Sequence, residues 1–295
     1  MTALALDACE AALAERAQRV IWPFFTFYGG KWRAAPRYPA PRHRVVIEPF
    51  AGSAGYAVRH HQREVILVEK DPVIAGTWRY LINASEAEIR GLPLIGNDQA
   101  VADLGVTAAQ GWLIGWWLNK GTTRPELRPG RWMRDGIRPN SQWGEVIRDR
   151  IASSLWAIRH WVVIEGDYTA APDIAATWFI DPPYSSAASG HRYRCSNRDI
   201  DYGALAAWVH GRAGQVIACE AQGAGWLPFA PFARVKGTEG RTRSGVSPEA
   251  VWLSNGGRPR YSCCDYYPHL CPGCGRYMSH REWAEQSVCN DCQAW

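Results

Sequence analysis

The chain has 295 residues, 47% of them hydrophobic, and a formal charge of +5, which suits one large core or one core with a small appendage and a partner that is either polyanionic or an ordinary small molecule. No apolar run approaches the roughly 18 to 20 residues that a membrane span needs. Six of the nine cysteines crowd into residues 263–292, a distribution that argues against a secreted disulfide framework and for metal binding in a reducing compartment.

In chain order, the N-terminal run MTALALDACEAALAERAQRV places Asp7, Glu10 and Glu15 among its alanines and leucines. This rules against a secretory signal and predicts an amphipathic helix in a cytoplasmic protein. Short apolar runs that end in polar or glycine-rich turns follow at 44–48, 65–69, 161–166, 177–181, 214–220 and 249–255, and read as buried strands. Helical spacing lies between several of them, as in AGYAVRHHQ (54–62) and DYGALAAWVHGRA (201–213). Strands alternating with helices predict an α/β fold, a doubly wound, mostly parallel sheet covered on both faces. Ligands in such sheets sit beyond the carboxyl ends of the strands. Those ends are Glu48-Pro49, Glu69-Lys70-Asp71, Gly166-Asp167-Tyr168 and Asp181-Pro182, so several acids are expected along one edge.

The stretch EPFAGSAG (48–55) leads from a strand through a glycine loop into helical spacing. Gly52 and Gly55 permit a tight turn and close approach to a ligand, and the helix N-terminus offers unpaired N–H groups. The loop lacks the Gly-Lys-Ser/Thr ending of a P-loop and does not match Gly-x-Gly-x-x-Gly, so a phosphate cradle is not expected. Glu69 ends the next strand, where an acid in this architecture reaches ribose hydroxyls. Together these features point to an adenosine-containing cofactor without a pyrophosphate.

The interval from Asp71 to Trp161 is far longer than one crossover helix, so something is inserted. It carries Lys120, Arg124, Arg128, Arg131, Arg134, Arg138, Arg148 and Arg150 among Trp112, Trp116, Trp117, Trp132 and Trp143. Guanidinium groups contact phosphates and base edges, and indoles stack on bases or wedge between them, which fits nucleic-acid binding. The same composition also makes a small subdomain with a tryptophan core and a solvated basic face.

WFIDPPYSS (178–186) stops a strand abruptly. Proline cannot continue a sheet, so Asp181-Pro182-Pro183-Tyr184 is a rigid exit that holds one carboxylate and one aromatic ring in place. Beyond it, SSAASGHRYR (185–194) carries His191, Arg192 and Arg194, and KGTEGRTRSGVSPE (236–249) carries Arg241 and Arg243. Each reads as a DNA-facing loop or as plain surface.

FTFYGGKW (25–32), EPFAGSAG (48–55), VEKDP (68–72), GDY (166–168) and DPPY (181–184), in that order, resemble the Dam-type adenine-specific DNA methyltransferases of the alpha motif order, over residues 22 to 256. The resemblance implies S-adenosylmethionine held by Phe50, Ala51, Gly52, Ser53 and Gly55, with Tyr28, Lys31, Glu48 and Pro49 in the same site and Lys31 near the methionine end. It implies Glu69 on the ribose, Asp167 on the cofactor's adenine amine, and Tyr168 against that ring. It further implies double-stranded DNA as partner, with Asp181 and the Pro182 carbonyl accepting from the amine of a flipped adenine, Pro183 stiffening the turn and Tyr184 stacking on the base. On this view residues 1–85 are an N-terminal helix and the cofactor half, 86–160 the target-recognition insertion, and 161–258 the catalytic half. The glycine loop reads Ser-Ala-Gly where Ser-Gly is commoner, and the insertion is short and rich in Trp and Pro, so no target sequence follows from it.

Residues 259–295 contain Cys271-x2-Cys274-x14-Cys289-x2-Cys292. Two such knuckles suit four thiolates around a structural Zn2+ in a ribbon, with Cys263, Cys264, His269 and His280 as spare donors and a redox pair as the alternative. Other readings of the whole chain are an RNA adenine or DNA cytosine-N4 methyltransferase, or a DNA-binding scaffold whose catalytic domain is silent.

Overall fold

The computed structural model describes residues 19–137, 139–185, 193–236 and 246–254. Its strands are β1 (Val45–Glu48), β2 (Glu64–Glu69), β3 (Val162–Glu165), β4 (Ala176–Ile180), β5 (Gly214–Ala221), β6 (Ala230–Lys236) and β7 (Val246–Leu253). They form one sheet in the order β3-β2-β1-β4-β5-β7-β6. Strands β1 to β5 pair in parallel, and β7 is antiparallel to both neighbours.

Successive strand residues enter opposite cores, as a period of two requires. Val46, Phe179, Ile217 and Cys219 join one buried cluster, while Ile47, Trp178, Ile180, Val216 and Ala218 join the other. Burial on both faces is why these strands read as continuous apolar runs. Helix α1 (Gly55–Arg59) follows β1, and α2 (Pro72–Asn83) follows β2. Asp71 starts α2 by accepting from the Val73 N–H at 2.9 Å, with Pro72 in the first turn, the capping arrangement that a missing proline N–H favours.

The long interval before β3 holds α3 (Glu86–Gly91), α4 (Ala108–Trp116), α5 (Arg131–Arg134) and α6 (Glu145–Ala152). Its Leu113, Ile114, Trp116, Trp117, Trp143 and Ile147 belong to the same buried cluster as Phe24, Phe25 and Trp78. The indole N–H groups of Trp116, Trp117 and Trp143 find acceptors in Thr77, Phe24 and Pro93 respectively, which removes the penalty of burying those donors. These three rings therefore build the core and do not face a nucleic acid. Helix α7 (Tyr202–His210) crosses between β4 and β5.

One strand escaped the sequence pattern. β6 begins Ala230-Pro231 and shifts register between Pro231 and Ala233, and a proline next to a bulge is tolerated at a sheet edge because no ladder partner needs its N–H.

The chain leaves the centre through β1, β2 and β3, then returns to lay β4 on the other side of β1. The crevice between β1 and β4 is the switch point of the sheet, where ligands of doubly wound folds bind. The glycine loop follows β1 and Asp-Pro-Pro-Tyr follows β4, so two motifs more than a hundred residues apart in sequence flank one crevice.

Gly55 locks this arrangement, since a Cβ there would lie 2.3 Å from the Trp32 backbone nitrogen. Gly55→Ala is expected to cost about 1–3 kcal/mol as an overpacking change. Gly91→Ala, which meets nothing within 4 Å, is expected to stay within about 0.5 kcal/mol; urea unfolding midpoints compare the two.

Candidate functional site

The glycine loop is held from three directions. Gly52 donates its N–H to Glu69 Oε2 at 2.9 Å, its carbonyl accepts the Trp78 indole at 2.8 Å, and Ala51 N–H reaches the Val68 carbonyl at 3.2 Å. Gly52 and Ala54 both have left-handed backbones, φ 46° and 48°. For Ala54 that conformation stores strain, which the surrounding contacts must hold. The missing side chain of Gly55 is filled by the backbone of Lys31 and Trp32. Its role here is to seat the Phe25–Trp32 segment on the loop, whereas the sequence had suggested close approach of a ligand.

Carboxylates line the strand ends as expected. Glu48 accepts from Ala57 N–H at 2.6 Å and so steadies α1 from within. Glu69 accepts from Gly52 on one oxygen and from Asp71 N–H at 2.9 Å on the other, which leaves a lone pair on each oxygen for a hydroxyl. Burial lifts Glu48 to about 8 and Glu69 to about 7, with backbone N–H groups pulling each back, since a carboxylate out of water favours its neutral form. Asp167 is exposed, 3.3 Å from Lys70, and accepts from Thr169 N–H at 3.4 Å. Tyr168 stacks on Phe50 with centroids 5.5 Å apart. Pro49 is buried between Glu48 and Phe50.

Across the crevice, the Asp-Pro-Pro-Tyr turn is fastened carbonyl by carbonyl. Pro183 accepts from the Tyr202 hydroxyl, Tyr184 accepts from Asn197 Nδ2 at 3.2 Å, and Ser185 N–H donates to Glu220 Oε1 at 2.5 Å. Glu220 also takes the Trp226 indole at 3.2 Å. Among the described residues the Tyr184 hydroxyl is buried with no hydrogen-bond partner, an orphan that a ligand would satisfy.

Lys31 and Asp181 meet at 2.9 Å, with Lys31 only 6% exposed. The ammonium also donates to the Gly29 carbonyl at 3.0 Å, lies 3.7 Å from Glu249 Oε1, and sits 5.0 Å from the Tyr184 ring centre. Glu249 in turn accepts from the Tyr38 hydroxyl at 2.9 Å. Burial raises Asp181 to about 6 against the pull of Lys31, and nearby Glu249 and Glu220 push the same way as burial. Sequence reasoning missed Tyr38, Glu220 and Glu249. The signal was an acid inside an otherwise apolar strand run, as in GQVIACE and EAVWLSN.

The basic candidates divide. Lys120, Arg124, Arg128, Arg131, Arg134 and Arg194 are exposed. Arg128 donates to the Asp98 carbonyl at 3.0 Å, Arg131 pairs with Asp135 at 3.2 Å, and Arg194 lies 3.7 Å from Asp71. Arg124, Arg194 and Tyr28 line an open cleft of about 460 Å³ together with Thr122, Thr123 and Tyr193. Arg150 instead turns inward over the Trp22 and Trp117 rings at 5.3 and 4.9 Å, and Arg148 donates to the Leu92 carbonyl. Trp132 is 52% exposed. Arg138, His191, Arg192, Arg241, Arg243 and the cysteines Cys271, Cys274, Cys289 and Cys292 lie outside the described residues. Among the described residues no cluster of three or more metal-ligating side chains occurs, and no helix is long and apolar enough to cross a membrane.

Glu48 provides a test of the buried edge. Its folded value of about 8 exceeds the ordinary carboxyl value of about 4.3, so its contribution to stability is complete at low pH and is lost as pH rises between the two. Glu48→Gln keeps the acceptor without the charge. Its stability relative to the wild type is expected to rise steadily from about pH 5 to pH 8, read from urea midpoints; a difference independent of pH would contradict the raised value.

No family model and no curated protein sequence matches the chain. Among solved structures it is similar to the rRNA methyltransferase aviRa from Streptomyces viridochromogenes, with 10% sequence identity, a TM-score of 0.33, and coverage of 81% of this chain and 89% of that one. A superposition that loose decides neither fold nor activity, and the site stands on its own geometry.

Proposed function

We propose that the chain transfers a methyl group from S-adenosylmethionine to the exocyclic N6 amine of an adenine extruded from double-stranded DNA. The observation that carries this reading is the pairing of the glycine loop after β1 with Asp-Pro-Pro-Tyr after β4 across the switch point.

The residues on the β1 side fit the cofactor. Glu69 has lone pairs for a ribose diol, Asp167 is an exposed acceptor for an adenine amine, and the stacked Phe50 and Tyr168 offer an aromatic surface for its ring. Acids along one edge also suit the positive charge of a sulfonium and of an α-amino group. When bound, S-adenosylmethionine supplies an electrophilic methyl group.

The residues on the β4 side suit the acceptor amine. An adenine amine is a poor nucleophile because its lone pair is delocalised into the ring, and a duplex hides it, so the base must be flipped out. Asp181 and the Pro182 carbonyl then accept its two hydrogens and hold the nitrogen closer to tetrahedral, with the lone pair aimed at the methyl carbon. Positioning of this kind supplies most of the rate. The Asp181 carboxylate favours the positive charge that develops on nitrogen and takes the proton once the nitrogen–carbon bond has formed and the methyl–sulfur bond has broken, its electron pair remaining on a neutral thioether. Tyr184 stacks on the base. The exposed Lys120, Arg124, Arg128, Arg131, Arg134 and Arg194 suit phosphate contacts, which position the duplex without reading its sequence. The four tail cysteines suit a structural zinc ribbon in the same protein.

Tritiated S-adenosylmethionine is expected to label DNA lacking adenine methylation, with N6-methyladenine as the product on nucleoside analysis. Asp181→Ala is expected to lower the rate by about 10²–10³-fold while cofactor binding by calorimetry persists. Label on no DNA, or on cytosine or RNA instead, would overturn the proposal. Metal analysis of the purified full chain is expected to find about one zinc, and thiol titration should become faster after chelation; a metal-free protein with unchanged thiol reactivity would rule out the ribbon.

A further inference from the structure

One oxygen of the carboxylate that a substrate amine needs is already paired. Lys31 places its ammonium 2.9 Å from Asp181 Oδ1 and 5.0 Å from the Tyr184 ring centre, so a protein amine stands where the target amine would bind, beside the ring meant for the base. While it stays, a cation opposes the positive charge that methyl transfer builds on nitrogen. It must therefore move, yet at 6% exposure it has little solvent to receive it. A charge displaced within a largely buried site needs a second counter-charge within reach.

Glu249 meets that need. Its Oε1 is 3.7 Å from Lys31 Nζ, while Oε2 accepts from the buried Tyr38 hydroxyl at 2.9 Å, which fixes the carboxylate. Closing 3.7 Å to a charge-assisted bond of about 2.8 Å asks for a shift of about 1 Å, and the Gly29 carbonyl, 3.0 Å from the same ammonium, serves as pivot. β7 is antiparallel to β5, and this reversal brings Glu249, paired with Ala221, to the strand-end edge of the sheet.

We propose that Lys31 holds the place of the substrate amine on Asp181 and that Glu249 is a positioning residue, receiving the lysine when the amine arrives. The inference rests on the methyl-transfer reading above. The ionisable groups acting around Asp181 are Lys31 and Tyr38 from the segment before β1, Glu48 from β1, Tyr184 from its own loop, Glu220 and Cys219 from β5, and Glu249 from β7. Glu249 pushes the Asp181 value up and Lys31 pulls it down. Loss of the Glu249 charge, leaving Lys31 on Asp181, therefore moves the acid limb of kcat/KM to lower pH.

The test is a double-mutant cycle on the full chain with tritiated S-adenosylmethionine and DNA lacking adenine methylation. Glu249→Gln is expected to lower kcat about tenfold or more with the cofactor KM unchanged, and to move the acid limb downward. In a Lys31→Met background, where nothing has to be received, the same change is expected to cost less than about threefold, as coupled sites behave. Glu249→Asp, which keeps the charge but shortens the reach, gives a smaller loss that Lys31→Met also abolishes, and it replaces Glu249→Gln should that variant not fold. Equal losses in both backgrounds, or no loss with an unmoved acid limb, would overturn the proposal while leaving methyl transfer intact. Wild-type protein that labels no adenine would overturn both.

Discussion

The contact between Lys31 and Asp181 ties together the parts of the protein that must cooperate. Lys31 comes from the segment that lies on the glycine loop, Asp181 from the end of β4, and Glu249 from the antiparallel strand beyond β5. Taking such charges out of water costs several kcal/mol per ion, and a buried pair recovers little of that as stability. Asp181 records the imbalance, because burial lifts its carboxyl even with an ammonium alongside.

The sheet follows the same logic. Its parallel strands deliver Glu48, Glu69, Asp167 and Asp181 to one edge, and each acid meets a different environment there. Glu48 and Glu69 accept backbone N–H groups and brace the loop, Glu69 with acceptor capacity to spare. Asp167, half-exposed, pairs with Lys70. Asp181 alone of the four meets a buried side-chain amine, and it is the one whose neighbours on two further strands are also acids.

Much of this was legible in the sequence because the relevant signals were local. Apolar runs marked six strands, the turn chemistry of Asp-Pro-Pro-Tyr marked a fixed exit, and the alternation of strands with helices led to the expectation of a doubly wound sheet with ligands beyond its strand ends. What stayed hidden was non-local. Nothing near Glu249 announces that Lys31 lies opposite, and nothing near Tyr38 announces its bond to a residue 211 positions away. The tryptophans of the insertion show the other limit, since composition could not separate a stacking surface from a core. Position in the fold made Trp116, Trp117 and Trp143 core and left Trp132 outside.

Gly55 carries a wider consequence. Because the Lys31–Trp32 backbone fills the space where its side chain would be, the loop after β1 and the cation paired with Asp181 share one mechanical joint. Neither half of the crevice can be exchanged or redesigned as a module. A glycine loop grafted from another protein would bring its own surface against residues 31 and 32 and would displace the lysine from its carboxylates, so both walls of the crevice would change together.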